Sequence, residues 1–216
     1  MNAKARSYYD KFSRVYDWLS PKAYYNKARQ EAVGRLDLKE GQTVLNVPIG
    51  TGQNFEYFQR YLRGTGQIIG VDISDGMLSK AFEKVREQKY TNVTLQNSDV
   101  SALNQAWLEQ YKVDNSDEPV DAIICDLGLS GFDDWRGVVD DLLDVLKPEG
   151  KLAVMDWELP EPSLRGAFIK WIGGGEVDRP IPAYLETKLD DFELDHSFNR
   201  GGVFVASGMK PKGMGS

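Results

Sequence analysis

The segment TVLNVPIGTGQNFEYF, residues 43–58, decides the fold class that this chain is expected to adopt. A short apolar run leads into a turn with two glycines, Gly50 and Gly52, and an aromatic amphipathic run follows. Glycine admits backbone angles that other residues avoid, and the first N–H groups of a helix are free to bind an anion. A strand, a glycine turn and a helix in this order therefore predict a cradle for a ligand.

The same alternation of apolar runs and helical patterns continues along the chain and predicts an α/β fold. Strands are predicted at 43–47, 67–72, 93–99, 120–126 and 151–157, and helices at 53–63, 75–88, 101–112 and 134–146. Such alternation is typical of an open, doubly wound parallel sheet. Two last strands, 192–199 and 202–210, have so short a connection that they form an antiparallel hairpin. We therefore expect a seven-stranded, mostly parallel sheet with a reversed strand near its C-terminal end.

Length, charge and cysteine content argue against several classes of protein. The 216 residues suit one domain, 1–216, and the net charge of −7 argues against general nucleic-acid binding. The single cysteine, Cys125, excludes a disulfide within the chain, and no metal site is expected. No apolar run approaches the roughly 20 residues of a membrane span, and no secretory signal stands at the N-terminus. These features fit a cytoplasmic protein.

The N-terminal segment differs in charge from the remainder of the chain. Residues 1–40 carry nine basic and five acidic side chains, whereas the remainder carries 17 and 28. Seven tyrosine, tryptophan and phenylalanine rings lie between Tyr8 and Tyr25. Such a segment can contact an anionic lipid surface or an acidic substrate, or it can pack its rings on the domain and leave its lysines in water. Both interpretations stay open, as do a monomer and a homodimer.

Acidic residues stand at the ends of three successive predicted strands, at the edge where an open α/β sheet binds ligands. Asp72 stands twenty residues after Gly52, where a carboxylate can accept hydrogen bonds from both hydroxyls of a ribose. Asp99 and Asp126 follow the next two strands, and an acid at the first of them can accept from an adenine amino group. Phe55 replaces the third glycine of a dinucleotide-binding loop, which argues against NAD or FAD.

These residues resemble the motifs of the class I S-adenosylmethionine (SAM)-dependent methyltransferases. The five stretches that carry the resemblance are VLNVPIGTG, VDISDGML, NSDV, DAIICDL and LLDVLKPEGKLAVMDW. The opening YYDKFSRVYDWLS is similar to the ubiquinone/menaquinone C-methyltransferases and to short bacterial phosphatidylethanolamine N-methyltransferases. The resemblance covers residues 8–210. It implies a Rossmann-like fold and transfer of the SAM methyl group to a small-molecule or lipid acceptor by direct in-line displacement, which leaves S-adenosylhomocysteine (SAH).

The resemblance also implies which residues bind the cofactor. They are Tyr16, Asn46, Pro48, Gly50, Gly52, Asn54, Asp72, Ile73, Met77, Ser98, Asp99, Val100, Asp126 and Leu127. Gly50 and Gly52 would pass over the methionine part, Asp72 would hold the ribose and Asp99 would receive the adenine. Residues 1–35 would form a helical lid that closes the pocket through Tyr16.

Two residues depart from the family's pattern, which often has an acid at the position of Asn46 and a glycine at that of Pro48. An acid would attract the ammonium group of SAM, whereas Asn46 offers only an amide oxygen. Two alternatives therefore stay open beside the enzyme. One is a protein that binds SAM or SAH without catalysis, and the other is a nicotinamide-dependent oxidoreductase on a similar sheet.

The sequence assigns neither a general base nor an acceptor. The candidates for the base are Asp126, Tyr16 and His196, with Asp156 and Tyr9 as further alternatives. The acceptor region is predicted at residues 157–190, where Trp157, Phe168, Trp171 and Ile172 suit an apolar or aromatic acceptor. Gly173, Gly174 and Gly175 would make it either a hinged lid or a flexible loop. The region is short beside that of the quinone methyltransferases, which argues against a quinone.

Overall fold

The computed structural model describes residues 22–109, 120–159, 176 and 178–213. Seven strands form one sheet, and six α-helices accompany it in this part of the chain. The strands are β1 (Thr43–Asn46), β2 (Gln67–Asp72), β3 (Val93–Asn97), β4 (Val120–Asp126), β5 (Leu146–Trp157), β6 (Asp190–Phe198) and β7 (Val203–Met209). The helices are α1 (Lys22–Arg35), α2 (Phe55–Leu62), α3 (Asp75–Gln88), α4 (Gln105–Glu109), α5 (Trp135–Val145) and α6 (Ile181–Glu186).

The order of the strands in the sheet is β3-β2-β1-β4-β5-β7-β6. The first five strands pair in parallel, whereas β7 pairs antiparallel with both β5 and β6. The prediction of a seven-stranded, doubly wound sheet with a reversed strand is confirmed. Because the chain runs from β1 to β2 on one side and returns to β4 on the other, a crevice opens between the carboxyl ends of these strands.

Both faces of the sheet are covered by helices, as the continuous apolar strands predict. In β1, Val44 belongs to the buried cluster that contains residues of α1 and α2. Its neighbour Leu45 belongs to the cluster on the other face, which contains residues of α5 and α6. Both side chains are fully buried because successive residues of a strand point to opposite faces.

Several element boundaries differ from the sequence-based prediction. β5 begins at Leu146 rather than at residue 151, because Leu146 pairs with Val120 and the register then shifts. β3 ends at Asn97, and Asp99 caps a short 3-10 turn instead of extending the strand. α6 begins at Ile181, inside the stretch that the sequence assigned to an acceptor region. The first difference follows from a pairing between distant segments, which local patterns do not report, whereas the other two arise from local hydrogen bonds of a cap and a helix.

The predicted lid falls partly outside the described residues, since 1–21 and hence Tyr9 and Tyr16 are not among them. Its remaining part is α1, which lies against the sheet with Tyr25 buried and Tyr24 exposed. Phe168, Trp171, Ile172 and the three glycines at 173–175 also lie outside the described residues. None of the described helices is both long and apolar enough to cross a membrane.

Candidate functional site

A cleft opens at the carboxyl ends of β1, β2 and β4, where an open α/β sheet binds its ligands. Its lining residues come from α1 and from the loops after the first four strands. They are Arg29, Val47, Pro48, Ile49, Gly50, Thr51, Gln53, Asn54, Val71, Asp72, Ile73, Met77, Ser98, Asp99, Val100, Asp126, Leu127, Gly128, Gly131 and Phe132.

Most of the residues that the sequence assigned to a cofactor site lie together in this cleft. They are Pro48, Gly50, Asn54, Asp72, Ile73, Met77, Ser98, Asp99, Val100, Asp126 and Leu127. Asn46 and Gly52 are buried and do not line the cleft, and Tyr16 is outside the described residues. The motif positions therefore converge in space although they are spread over some eighty residues of sequence.

The two glycines of the first loop serve different purposes. Gly50 has φ +55°, and a Cβ on it would meet no atom within 4 Å. Since Gly50 lines the cleft, any side chain there would occupy space beside the loop. Gly52 has φ +71°, and its Cβ would stand 2.3 Å from Cε2 of Phe55. Gly50 thus keeps the cleft open, whereas Gly52 admits the packing of the first helical ring.

Asp72 at the end of β2 joins the first loop to the second. Its Oδ2 accepts from the Gly50 N–H at 2.9 Å, and its Oδ1 accepts from the Ser74 N–H at 2.9 Å. The side chain is 8% exposed and lines the cleft. A carboxylate that faces a cleft in this way is an acceptor for hydroxyl groups of a ligand.

Asn46 donates a hydrogen bond within the first loop, which a carboxylate could not do. Its Nδ2 donates to the Pro48 carbonyl oxygen at 3.1 Å, and its Oδ1 accepts from Asn54 Nδ2 at 3.0 Å. The side chain is fully buried. Pro48 packs against Gly128, where an added Cβ would stand 2.4 Å from the Pro48 Cδ. The two departures from the family pattern therefore belong to one arrangement, in which Asn46 supplies the donor that the Pro48 loop needs.

A charged network lies beside the start of α2. Arg29 Nε donates to Asp126 Oδ2 at 2.7 Å, and Arg29 Nη1 donates to the Gln53 Oε1. Asn54 Nδ2 donates to the same Asp126 oxygen at 3.2 Å. The side chains of Arg29 and Asp126 are only 3% and 8% exposed. Desolvation makes such a pair costly to build, so each partner depends on the other and on its hydrogen bonds.

Two acceptor atoms of this network are buried and have no hydrogen-bond partner among the described residues. They are Asp126 Oδ1 and Asn54 Oδ1. Buried polar atoms are nearly always paired in folded proteins, so this cluster is built for a further donor. Sequence reasoning missed Arg29. The signal was present, because Arg29 is a basic residue among the apolar positions Tyr25, Ala28, Ala32 and Val33 of a helical pattern.

The opposite end of the cleft is suited to a flat ring. Ile73 and Met77 line it from the start of α3, where Ser74 caps the helix by accepting from the Met77 N–H at 3.2 Å. Asp99 and Val100 line it from the loop after β3. Asp99 Oδ1 accepts from both the N–H and the hydroxyl of Ser101 at 3.1 Å, which fixes the carboxylate in place.

The loop after β4 forms an apolar wall of the cleft through Leu127, Gly131 and Phe132. It is held from two sides. The Leu127 N–H donates to the Met155 carbonyl at 2.7 Å, and Arg179 Nη1 donates to the Leu129 carbonyl at 3.0 Å. Leu127 has φ +55°, a strained value for a side chain of this size, which such a network can maintain.

Two buried acid groups beside this loop stay outside the cleft. Asp156 is fully buried, and it accepts from the N–H groups of Ser130 at 2.9 Å and Trp157 at 2.7 Å. Burial raises its pKa to about 6, although these hydrogen bonds oppose the shift. Burial also raises the pKa of Cys125 well above its usual value, so the thiol stays neutral. Asp156 therefore supports the loop and does not reach a ligand in the cleft.

The remaining candidates for a general base fall in different places. His196 lies on the edge strand β6, half exposed and outside the lining of the cleft, and its Nδ1 is 2.8 Å from Glu158 Oε2. Asp126 lines the cleft but is paired with Arg29. Tyr9 and Tyr16 are not among the described residues. The described residues include no cluster of three or more histidine, cysteine or acidic side chains that could hold a metal ion.

These features fit the parts of SAM. Asp72 can accept from ribose hydroxyls, Ile73 and Met77 can pack on the adenine, and Asp99 can accept from its amino group. The open path over Gly50 admits the amino-acid chain, and the unpartnered oxygens near Arg29 suit its ammonium group.

Comparison with known proteins finds methyltransferases. Residues 44–150 match the model of a family described as a methyltransferase domain. The 2-phytyl-1,4-naphtoquinone methyltransferase of Nostoc sp. is 28% identical over 211 residues, which cover 90% of this chain and 86% of that protein. The demethylmenaquinone methyltransferase of Shouchella clausii is 27% identical over 132 residues, 61% of this chain and 52% of that protein. The chain thus spans about half of this second relative.

A solved structure shares the whole described fold. The phosphoethanolamine N-methyltransferase 2 of Haemonchus contortus, in complex with SAM, superposes with a TM-score of 0.69 at 16% identity. The similarity covers 94% of this chain and 57% of that protein. At this level of identity, the likeness establishes the fold and says nothing of the acceptor.

Proposed function

Because this chain belongs to the class I SAM-dependent methyltransferases, we propose that its acceptor is a reduced naphthoquinone-type small molecule, methylated on a ring carbon. The chain is accordingly an enzyme that uses SAM as its cofactor. The non-catalytic binder and the nicotinamide oxidoreductase that the sequence left open are set aside by the same comparisons.

One observation carries the choice of acceptor: the phytylnaphthoquinone methyltransferase matches along nearly the whole chain. The short region 157–190 had argued against a quinone, but this relative is covered over 86% of its own length. The apolar wall of Leu127, Gly131 and Phe132 supports the same choice, since it offers a ring a surface with no charged group. Trp157, in edge-to-face contact with Tyr25, adds aromatic surface at the end of β5.

SAM supplies a methyl group that its positively charged sulfonium has already activated for displacement. The residues of this chain then have to orient SAM and the acceptor and to exclude water from the site. Asp72 would hold the ribose, and the Gly50 loop would let the amino-acid chain pass. Leu127 and Phe132 would separate the reacting atoms from solvent. Such alignment of a nucleophile with its target supplies a large part of the rate enhancement in two-substrate reactions.

The acceptor has to be in its reduced form. An electron-rich hydroquinone ring carbon would take the methyl group, whose bond to sulfur would break and leave its electron pair on sulfur in SAH. The proton on that ring carbon would then leave and restore the aromatic ring. The phenolic hydroxyl groups activate that carbon, so the described residues need to position the ring rather than to generate a nucleophile.

The experiment is a methyl-transfer assay with labelled SAM and a reduced short-chain 2-prenyl-1,4-naphthoquinone in detergent. The matched arms are the same compound in its oxidised form and phosphatidylethanolamine as an amine acceptor. We expect labelled product with the reduced ring only. Product with the amine alone, or with neither, would refute the acceptor while leaving SAM binding to be measured separately.

We also propose that the enzyme is cytoplasmic and contacts membranes peripherally through its basic, aromatic N-terminal segment. The support is the charge excess of residues 1–40 and the apolar character of the proposed acceptor. Cosedimentation with vesicles of phosphatidylglycerol and phosphatidylcholine tests this. Binding that weakens between 50 and about 300 mM salt is expected, and absence of salt-sensitive binding would refute the contact.

A further inference from the structure

We propose that Asp126, together with Asn54, receives the α-ammonium group of SAM. The acid that the family often places at the end of β1 would then have moved, in this chain, to the end of β4. The proposal rests on the methyltransferase function proposed above and assigns the residues that recognise the amino-acid end of the cofactor.

Asn46 cannot be the ammonium acceptor without losing its present bonds. Its amide nitrogen points at the Pro48 carbonyl at 3.1 Å and lies 3.5 Å from the Ile124 carbonyl. A carboxylate in this place would face oxygen atoms and repel them. Its amide oxygen is already used by Asn54 Nδ2 at 3.0 Å. The end of β1 therefore requires a donor, and the negative charge has to come from elsewhere.

Asp126 supplies that charge on the neighbouring strand. β1 and β4 pair in parallel, so the two strand ends meet at the same edge of the sheet. Asp126 Oδ2 is held by Arg29 and Asn54, whereas its Oδ1 has no partner in the described part of the chain. One oxygen is thus anchored and the other is available.

Asn54 presents a second oxygen of the same kind. Its Nδ2 contacts two oxygens, those of Asn46 and Asp126, which fixes the orientation of the amide. Its Oδ1 consequently has no donor among the described residues. Two buried acceptors beside one cleft call for a group with several N–H donors and a positive charge. A primary ammonium meets both conditions.

Arg29 gives the cluster its selectivity for an amino acid. The amino-acid end of SAM carries a carboxylate next to the ammonium, and the guanidinium of Arg29 lies 2.7 Å from the Asp126 oxygen. The negative Asp126 can then lie next to the ammonium of the ligand, and the positive Arg29 next to its carboxylate. We therefore assign the ammonium to Asp126 and Asn54 and the carboxylate to the side of Arg29.

Three ligands separate these assignments by calorimetry. SAH carries both groups, decarboxylated SAM carries the ammonium alone, and 5′-methylthioadenosine carries neither. We expect Asp126→Asn to lower the affinity for SAH and for decarboxylated SAM by about tenfold or more, because the acceptor of the ammonium group loses its negative charge. The affinity for methylthioadenosine should stay within about twofold. Arg29→Gln should weaken SAH binding without weakening that of decarboxylated SAM.

The matched control is Asp133→Asn, an exposed carboxylate in the loop before α5 that does not line the cleft. It removes the same charge and should change none of the three affinities. An Asp126→Asn protein that binds SAH as tightly as the wild type overturns the proposal. So does one that weakens SAH and methylthioadenosine equally while its melting temperature is unchanged.

If Asp126→Asn also unfolds the protein, Asn54→Ala decides, because it leaves the pair of Arg29 and Asp126 in place. It has to lower the affinity for SAH by about threefold or more and spare methylthioadenosine, since one hydrogen bond from the ammonium to an amide oxygen is lost. Otherwise the proposal is refuted. A wild-type protein that binds none of the three ligands would overturn the cofactor assignment itself, and this proposal with it.

Discussion

Asp126 and Asp156 stand at the ends of neighbouring parallel strands, yet one lines the cleft and the other is sealed in the core. Asp126 is paired with Arg29 and keeps one oxygen without a partner in the described residues. Asp156 is fully buried and accepts from the N–H groups of Ser130 and Trp157. The same residue type at the same edge of a sheet therefore faces a cleft in one case and supports a loop in the other.

The register of the strands explains the difference. Asp126 lies opposite Met155, so the two side chains point to the same face, which α1 covers. Asp156 is one residue further along β5 and points to the other face, beneath the loop after β4. A position near the end of a strand brings an acid to the edge of the sheet where ligands bind. Because successive residues point to opposite faces, a shift by one residue changes the surroundings of the side chain.

The largest expected effect extends the comparison to Asp72, a third strand-end acid. Asp72→Ala removes the acceptor of two backbone N–H groups and of the proposed ribose contact. Hydrogen bonds to a charged group contribute about 1.5–3 kcal/mol each, so SAH affinity should fall by about a hundredfold or more.

Calorimetry of SAH binding checks this result. The control is Asp75→Ala, an exposed acid in the first turn of α3, which should bind within about twofold of the wild type. A loss below about fivefold in Asp72→Ala would place the ribose elsewhere.

The next effect concerns pH and Asp156. Its pKa is raised from 3.8 to about 6 in the folded state, chiefly by burial. The folded protein therefore holds this proton more tightly than the unfolded chain, and ionisation destabilises the fold. The penalty is absent below about pH 4 and complete above pH 6, where it amounts to roughly 3 kcal/mol.

Urea unfolding of wild type and Asp156→Asn at pH 4, 5, 6 and 7 measures this effect. The difference in the free energy of unfolding between the two proteins isolates Asp156, because all other groups titrate in both. The variant should gain on the wild type as pH rises through this window. Parallel pH profiles would show that Asp156 does not titrate there.

A smaller effect on ligand binding is expected at Gly50. Comparison with Gly41 separates the influence of backbone conformation from that of the position at the cleft. Gly50 and Gly41 both have positive φ, +55° and +85°, and neither would bring a Cβ within 4 Å of another atom. Only Gly50 lines the cleft. Alanine at either site should cost roughly 1 kcal/mol of stability, since both residues need left-handed backbone.

SAH affinity should fall by about tenfold in Gly50→Ala and stay unchanged in Gly41→Ala, as a methyl group enters the cleft in the first variant alone. Thermal unfolding and calorimetry report the two quantities separately. Equal affinities in both variants would mean that the ligand does not approach Gly50.

The last prediction tests directly whether Asp156 differs from Asp126 in its effect on ligand binding. Asp156→Asn should change SAH affinity by less than about threefold, because the side chain does not line the cleft and acts only through the loop after β4. Calorimetry at pH 7 with this variant and with Asp126→Asn gives the contrast directly. Similar losses in both would show that supporting the loop matters as much as facing the ligand.

Much of the site was predictable because its residues stand in motifs that follow strands. Gly50, Asp72, Asp99 and Asp126 were each found from the position of a strand end, and all four line one cleft. Arg29 was missed because it lies on a helix far from those motifs and becomes part of the site only when α1 packs on the sheet.

The order of the seven strands, the reversed last strand and the resemblance to a methyltransferase family could be predicted from the sequence. These follow from local periodicity, short connections and motif spacing, which are properties of neighbouring residues. Three features became visible only in the folded chain: Asn46 donates to Pro48, Arg29 pairs with Asp126, and Asp156 is fully buried. These outcomes depend on which side chains meet across strands and between a helix and the sheet, and on how much water is excluded where they meet.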